Sequence, residues 1–156
     1  MRSGSATTLA VLTSLFLAAS VVGCTSGAAA TASPPAAPTI SGAWVRPPTA
    51  PTKPAAGYLV ITNSTSAADA LVSASTPDAA SVEMHETKTD MNGMTGMSPV
   101  SRIEVPAGGS VKLEPGGYHL MINDLAKPLV VGESIELDLV FEHGGRVVVQ
   151  AEVRQG

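Results

Sequence analysis

From Thr39 onward, frequent turn-forming residues divide the sequence into short runs of β-forming residues. The runs are rich in Val, Ile, Tyr and Leu, and the breaks between them contain Pro, Gly, Asn and Asp. The candidate strands are Ile40–Val45, Gly57–Thr62, Ala70–Ser75, Ser81–Glu86, Arg102–Val105, Ser110–Leu113, Tyr118–Asn123, Ser134–Phe141 and Arg146–Val153. Evenly spaced short strands are typical of a sandwich or a Greek-key barrel, so the sequence predicts an all-β domain.

The pattern within these runs supports the same fold class. The run Ile135–Phe141 begins with apolar and acidic residues in alternation, which is typical of an antiparallel strand with one buried face. No segment keeps a helical period over three turns. Few residues of the domain are aromatic, so its core is predicted to consist mainly of Val, Ile and Leu. About 115 residues are enough for one core and a single domain.

The first 23 residues have the organisation of an export signal. Arg2 is the only charged residue before an apolar and small-residue run that extends from Ala6 to Gly23. This run is shorter than the ~20 residues needed to span a bilayer, so it indicates a signal peptide rather than an anchor. The pair Gly23-Cys24 resembles a bacterial lipobox, in which the Cys thiol is diacylated. We therefore expect Cys24 to carry lipid, which leaves no other Cys for a disulfide or a metal.

Residues 24–38 are almost entirely Ala, Ser, Thr, Pro and Gly, which bury too little to fold and form a flexible tether. The predicted organisation is a lipoprotein signal peptide at 1–23, a lipidated Cys and linker at 24–38, and a β domain at 39–156. Such a protein is exported and anchored on the outer side of the bacterial cytoplasmic membrane. The chain has 9 Lys and Arg against 13 Asp and Glu, so it lacks the basic charge that binding to nucleic acid requires.

Histidine and methionine are concentrated in two segments of the domain. The first contains Met84, His85, Met91, Met94 and Met97, and the second contains His119 and Met121. Because residues i and i+2 of a strand share a face, His119 and Met121 are predicted to project together, away from the core. The same alternation directs Met84 into the core and His85 outward.

Imidazole and thioether groups form a neutral, soft set of metal ligands. Ca²⁺ and Mg²⁺ require hard oxygen ligands, and structural zinc sites rarely use Met. Such a set suits Cu(I), and it avoids the oxidation to which a thiolate is exposed outside the cytoplasm. A blue-copper electron-transfer site needs a Cys thiolate, which the domain lacks. The residues therefore favour a protein that carries copper over one that transfers electrons.

Other interpretations of these residues stay open at this point. A Met more often fills a gap in a core than binds metal, and His143, in a predicted turn, is expected to be solvated. The domain could be a metal-free β-sandwich that binds protein, a copper-dependent oxidoreductase, or a copper buffer that stores the ion. Trp44 could belong to the core or to the rim of a docking surface.

The domain resembles the PCu(A)C-type periplasmic copper chaperones, whose signature is His, about ten residues, Met, twenty-one residues and His-x-Met. Twenty-one residues separate Met97 from His119, and Met121 completes the last motif. Five further segments of the chain also resemble this family: Ala43–Arg46, Ala56–Tyr58, Val82–Glu86, Met97–Val100 and Leu113–Met121. Eleven residues rather than ten separate His85 from Met97, and strict spacing would select Gly96, which cannot bind a metal. We expect a one-residue insertion in the preceding loop. Met97 is favoured as the ligand, because its spacing to His119 and its Met-x-Pro-Val context both fit. Met94 is the alternative, and Met91 and Met94 could assist capture or transfer of the ion.

The resemblance implies a cupredoxin-like Greek-key β-barrel and a non-enzymatic function. It implies one Cu(I) ion held by His85, Met97, His119 and Met121. The expected partner is the copper-accepting subunit of a haem–copper respiratory oxidase or another copper assembly protein. We expect a monomer that touches the membrane only through the lipid on Cys24.

Overall fold

The computed structural model describes residues 36–50 and 52–156, so the predicted signal peptide, Cys24 and most of the linker lie outside the described residues. Ten strands make up the regular structure of this part: β1 Thr39–Arg46, β2 Ala55–Thr62, β3 Asp69–Ser75, β4 Ala79–Thr89, β5 Thr95–Pro99, β6 Ile103–Val105, β7 Ser110–Leu113, β8 Tyr118–Leu125, β9 Ser134–Phe141 and β10 Gly145–Val153. The described residues form no helix, and among them no helical segment could cross a membrane. The predicted all-β class is confirmed.

The ten strands form one continuous hydrogen-bonded sheet that folds over its own core. The strand order is β5-β4-β8-β7-β2-β1-β10-β9-β3-β6, with β8 also paired to β2. Most neighbours are antiparallel, whereas β1 with β10 and β7 with β8 are parallel. This order places β8 between β4 and β2, so that residues of three strands distant in sequence meet on one surface.

The core is aliphatic, as the composition predicts. Its largest fully buried members are Leu59, Ile61, Leu71, Ile103, Leu120, Ile122, Leu137 and Leu139. Burial of a side chain of this size contributes about 1.5–3 kcal/mol. In β8, Leu120 and Ile122 are fully buried, and the intervening Met121 lies on the opposite face. The alternation of the sequence therefore determines which residues of β8 stabilise the fold and which are available for function.

The strand β5 was not predicted, because the sequence indicates a polar, glycine-containing loop there. Every residue of β5 is exposed, so no alternation of buried and exposed side chains marks it. A tight turn creates the strand: Asp90 Oδ1 accepts hydrogen bonds from the backbone N–H groups of Asn92 and Met94, each at 2.9 Å. Gly93 adopts φ 80°, a conformation that favours glycine. The turn allows β4 to extend to Thr89 and to form a hairpin with β5.

Candidate metal site

The two histidines of the predicted site lie directly opposite each other on neighbouring strands. His85 of β4 is the register partner of His119 of β8. Their ring centroids are 5.8 Å apart, and the ring planes are inclined by 40°. Directly opposed residues of antiparallel strands project from the same face of the sheet. The fold therefore brings the two imidazoles together from segments 34 positions apart in the sequence.

The two methionines of the predicted site lie on the same face. Met121 follows His119 by two positions and is the register partner of Glu83. Met97 pairs with Thr87, which lies two positions from His85, so Met97 is a diagonal neighbour of that histidine. The four predicted ligands thus share one face of the adjacent strands β5, β4 and β8.

The register also separates Met97 from the other candidates of the same segment. Gly96 pairs with Lys88 and belongs to the opposite face of the hairpin. Met91 and Met94 lie in the turn, beyond the last pair of the ladder, Thr89 with Thr95. Of Met91, Met94 and Met97, Met97 is therefore the one that the β-ladder places on the face of the two histidines. Its role as a ligand remains a prediction.

Both histidines are more buried than an outward-facing position suggests. His85 is 8% exposed and His119 is 6% exposed. His85 lies in a central strand of the ladder, between His119 on one side and Pro99 of β5 on the other. The unpredicted strand β5 thus provides one of the walls that remove His85 from solvent.

Hydrogen bonds assign a tautomer to each imidazole. His119 Nδ1 lies 3.1 Å from the carbonyl oxygen of Gly117. A carbonyl only accepts, so Nδ1 carries the proton and Nε2 of the neutral ring keeps its lone pair. His85 Nε2 lies 3.0 Å from Glu83 Oε2, and the ionised carboxylate likewise only accepts. The lone pair of neutral His85 is therefore on Nδ1.

The Nδ1 atom of His85 is buried and has no hydrogen-bond partner among the described residues. Such an atom costs free energy, since burial removes it from water without replacing the lost hydrogen bond. A metal ion bound by this nitrogen would supply the missing partner. The donor set of two neutral imidazoles and two thioethers fits a soft, monovalent ion.

A shallow cavity of about 220 Å³ opens beside these residues. Met97, His119 and Met121 contribute to its wall, and Met97 is 59% exposed. Met121 is half-buried. Molecules in solution can therefore reach the side of the candidate site that His119 lines, whereas His85 does not line the cavity.

Two residues of this region had no role predicted from the sequence. The strand period places Glu83 on the outward face with His85, but only the structure shows its contact with the His85 ring. Arg46 also lines the cavity, but it comes from β1 and only the strand order brings it there.

Trp44 is half-buried and packs on Tyr58, with ring centroids 4.5 Å apart, outside the aliphatic core cluster.

Known proteins resemble the domain in both sequence and fold. Residues 38–153 match the family model described as "Putative lipoprotein LpqE-like". The "Putative lipoprotein Lxx21020" of Leifsonia xyli subsp. xyli (strain CTCB07) is 32% identical over 115 residues, which cover 74% of this chain and 68% of that protein.

Solved structures with the same fold include two copper-bound proteins. The copper-bound PCuAC domain from PmoF2 is 29% identical, with a TM-score of 0.63 over 75% of this chain and 92% of that domain. The Cu(I) form of DR1885 from Deinococcus radiodurans is 34% identical, with a TM-score of 0.60 over 83% of this chain and 84% of that protein.

Proposed function

This chain belongs to the LpqE-like family of lipoproteins with a cupredoxin-like PCuAC domain, and from that premise we propose that it carries Cu(I) outside the cytoplasm. It binds one ion through His85, Met97, His119 and Met121. It then delivers the ion to a copper-accepting protein, such as the oxidase subunit that contains the copper centre of a haem–copper respiratory oxidase, or to another copper assembly protein. A lipid on Cys24 holds it at the outer side of the cytoplasmic membrane.

The observation that supports this proposal most directly is the geometry of the histidine pair. The imidazoles face each other across one pair of a β-ladder, and a buried nitrogen of His85 has no partner among the described residues. A buried ring nitrogen without a partner costs free energy, which a purely structural role for the pair does not explain. A soft cation bound at the remaining nitrogen of each ring supplies a partner, and the flanking thioethers complete a neutral ligand set.

Delivery, as opposed to storage, is supported by the unequal exposure of the ligands. Met97 is 59% exposed on the edge strand β5, whereas the histidines are almost buried. A partner can displace Met97 first while the histidines still hold the ion. Ligands can then be exchanged one at a time, and the copper ion is never released free into solution.

A transfer experiment tests this proposed function. Purified protein loaded with one equivalent of Cu(I) under anaerobic conditions is mixed with the soluble copper-binding domain of a respiratory oxidase. The expected result is transfer of the ion within minutes, measured after the two proteins are separated. A chelator of matched affinity behind a dialysis membrane is the control, since only a direct encounter allows stepwise ligand exchange. Copper that stays on the protein, or leaves equally fast in both arms, would indicate storage.

A second prediction concerns the Glu83 carboxylate, which accepts a hydrogen bond from His85 and so fixes the orientation of its ring. Substitution Glu83→Ala removes the acceptor of the 3.0 Å hydrogen bond and is expected to weaken Cu(I) binding by roughly tenfold to a hundredfold. The affinity is measured by competition with a chromophoric chelator. In the copper-free protein, ¹⁵N NMR of the imidazole should show His85 losing its preference for the proton on Nε2.

Glu86→Ala is the matched control for this substitution. Glu86 belongs to the same strand but projects from the opposite face, where it pairs with Lys88 at 2.8 Å. Its removal should leave the Cu(I) affinity and the His85 tautomer unchanged. Equal effects of the two substitutions would show that Glu83 acts only through general charge.

A further inference from the structure

The cavity beside the candidate copper ligands has a wall with a single charged residue, Arg46. The other ten lining residues are neutral, and they include Tyr58 and three of the predicted copper ligands, Met97, His119 and Met121. We propose, on the basis of the proposed copper-carrying function, that this cavity receives a carboxylate side chain of the protein with which copper is exchanged, and that Arg46 pairs with it. Arg46 is then a recognition residue for an acidic partner and not a copper ligand.

The guanidinium of Arg46 is held in place without being neutralised. Its Nη2 donates a hydrogen bond to the Tyr58 hydroxyl at 2.9 Å, and its Cζ lies 5.6 Å from the centre of the Tyr58 ring. Burial raises the pKa of Tyr58 above its ordinary value, with Arg46 opposing that change, so the hydroxyl stays neutral near pH 7. Among the described residues, Arg46 forms no ion pair with a carboxylate.

The guanidinium of Arg46 therefore keeps N–H donors available for a further partner. A guanidinium carries five N–H donors in a planar fork that matches the two oxygens of a carboxylate. The Tyr58 hydroxyl occupies one of them. A planar, oriented and unneutralised guanidinium at a cavity wall is suited to bidentate pairing with a carboxylate, which is stronger and more directional than a contact with a neutral acceptor.

The volume of the cavity exceeds what a metal ion needs. The cavity has a volume of about 220 Å³. A single ion at the ligands leaves room for a side chain of the size of Asp or Glu. The carboxylate would position the partner rather than take the copper, because hard oxygen ligands bind Cu(I) weakly.

The distribution of charge on the protein orients an acidic partner as it approaches. The four copper ligands are neutral, so a bound Cu(I) ion adds positive charge to the same wall that contains Arg46. The chain as a whole has a formal net charge of −4. An acidic partner is therefore repelled by most of the protein and attracted at this cavity, which selects the productive orientation and raises the rate of association.

The test compares two synthetic acceptor peptides that differ only in charge. Each contains the same two cysteines as Cu(I) ligands, flanked by glutamates in one peptide and by glutamines in the other. Transfer from the Cu(I)-loaded protein is followed by stopped-flow spectroscopy at low salt. The unmodified protein is expected to transfer on the order of tenfold faster to the acidic peptide, and 0.5 M salt should largely remove that difference.

Substitution Arg46→Gln should reduce the ratio of the two rates to near one, and Arg46→Lys should keep part of it. The control is Arg154→Gln, which removes the same charge from a side chain stacked on Trp44, 4.7 Å from the ring centre, outside the cavity lining. A ratio that survives Arg46→Gln, or that falls equally with Arg154→Gln, would overturn the inference. Because copper loading is measured first, a protein that fails to load overturns the proposed function as well, whereas normal loading with equal rates overturns this inference alone.

Discussion

The double substitution His119→Ala plus Met121→Ala is expected to weaken Cu(I) binding by at least about a hundredfold, or ~2.8 kcal/mol of binding free energy. It removes two of the four predicted ligands from one face of β8. It also removes the imidazole whose Nδ1–H is held by the Gly117 carbonyl oxygen, and with it the Nε2 lone pair that this tautomer leaves for a metal. The measurement is a competition titration against a chromophoric Cu(I) chelator under reducing, anaerobic conditions.

The matched control is the pair His143→Ala plus Met94→Ala. It removes the same two residue types from exposed turns: the His143 side chain is 59% exposed and Met94 is 67% exposed. This control should bind one equivalent of Cu(I) with unchanged affinity. If the control weakens binding as much as the test variant, the ligands have been misassigned. If neither variant differs from the unmodified protein, the copper site is elsewhere or absent.

Substitution Leu120→Ala is expected to lower the free energy of unfolding by about 3 kcal/mol, within the usual range of roughly 2–5 kcal/mol for a fully buried leucine. Leu120 lies between His119 and Met121 but projects into the core, where it is 0% exposed. Its register partners are Met84 of β4 and Gly57 of β2. β2 and β8 are closely packed here, since a Cβ added to Gly57 would lie 3.2 Å from Leu120 Cβ.

Chemical denaturation measures this loss of stability, with Val148→Ala as the control. Val148 is 48% exposed on β10, so its truncation should change the free energy of unfolding by no more than about 0.5 kcal/mol. Leu120→Ala keeps all four predicted copper ligands, so protein that remains folded should still bind the ion. Less than about 1 kcal/mol of destabilisation would show that β8 does not contribute to the core as the structure indicates.

The sequence was sufficient to predict most of the strands, the aliphatic core and the family. Nine of the ten strands overlap predicted ones, because alternating or continuous apolar runs mark strands that contact the core. The family and its cupredoxin-like fold are confirmed by the family match and by the solved structures. Strands were easiest to predict where one or both of their faces are buried, because burial requires an alternating or continuous run of apolar residues.

What could not be predicted depends on contacts between distant segments. The hairpin strand β5 is held by backbone hydrogen bonds and an Asp90-based turn, and neither produces a hydrophobic pattern. The direct opposition of His85 and His119 depends on register, which strand periods do not specify. The presence of Arg46 at the cavity depends on the position of β1 in the sheet order. The resemblance to the copper chaperones identified the candidate ligands, whereas strand order reveals what surrounds them.

The parallel pairing of β1 with β10 affects how fast the domain can fold. Trp44 is aligned with Glu152, so this ladder joins positions 108 residues apart. Contacts this distant in sequence carry a large loop-closure cost, and domains dominated by them fold slowly, in milliseconds to seconds. Until β10 is in place, β1 and β9 present unpaired edges that other chains could extend. Folding of this domain is therefore completed only after its last strand is available, and the interval before that is when it is most prone to aggregate.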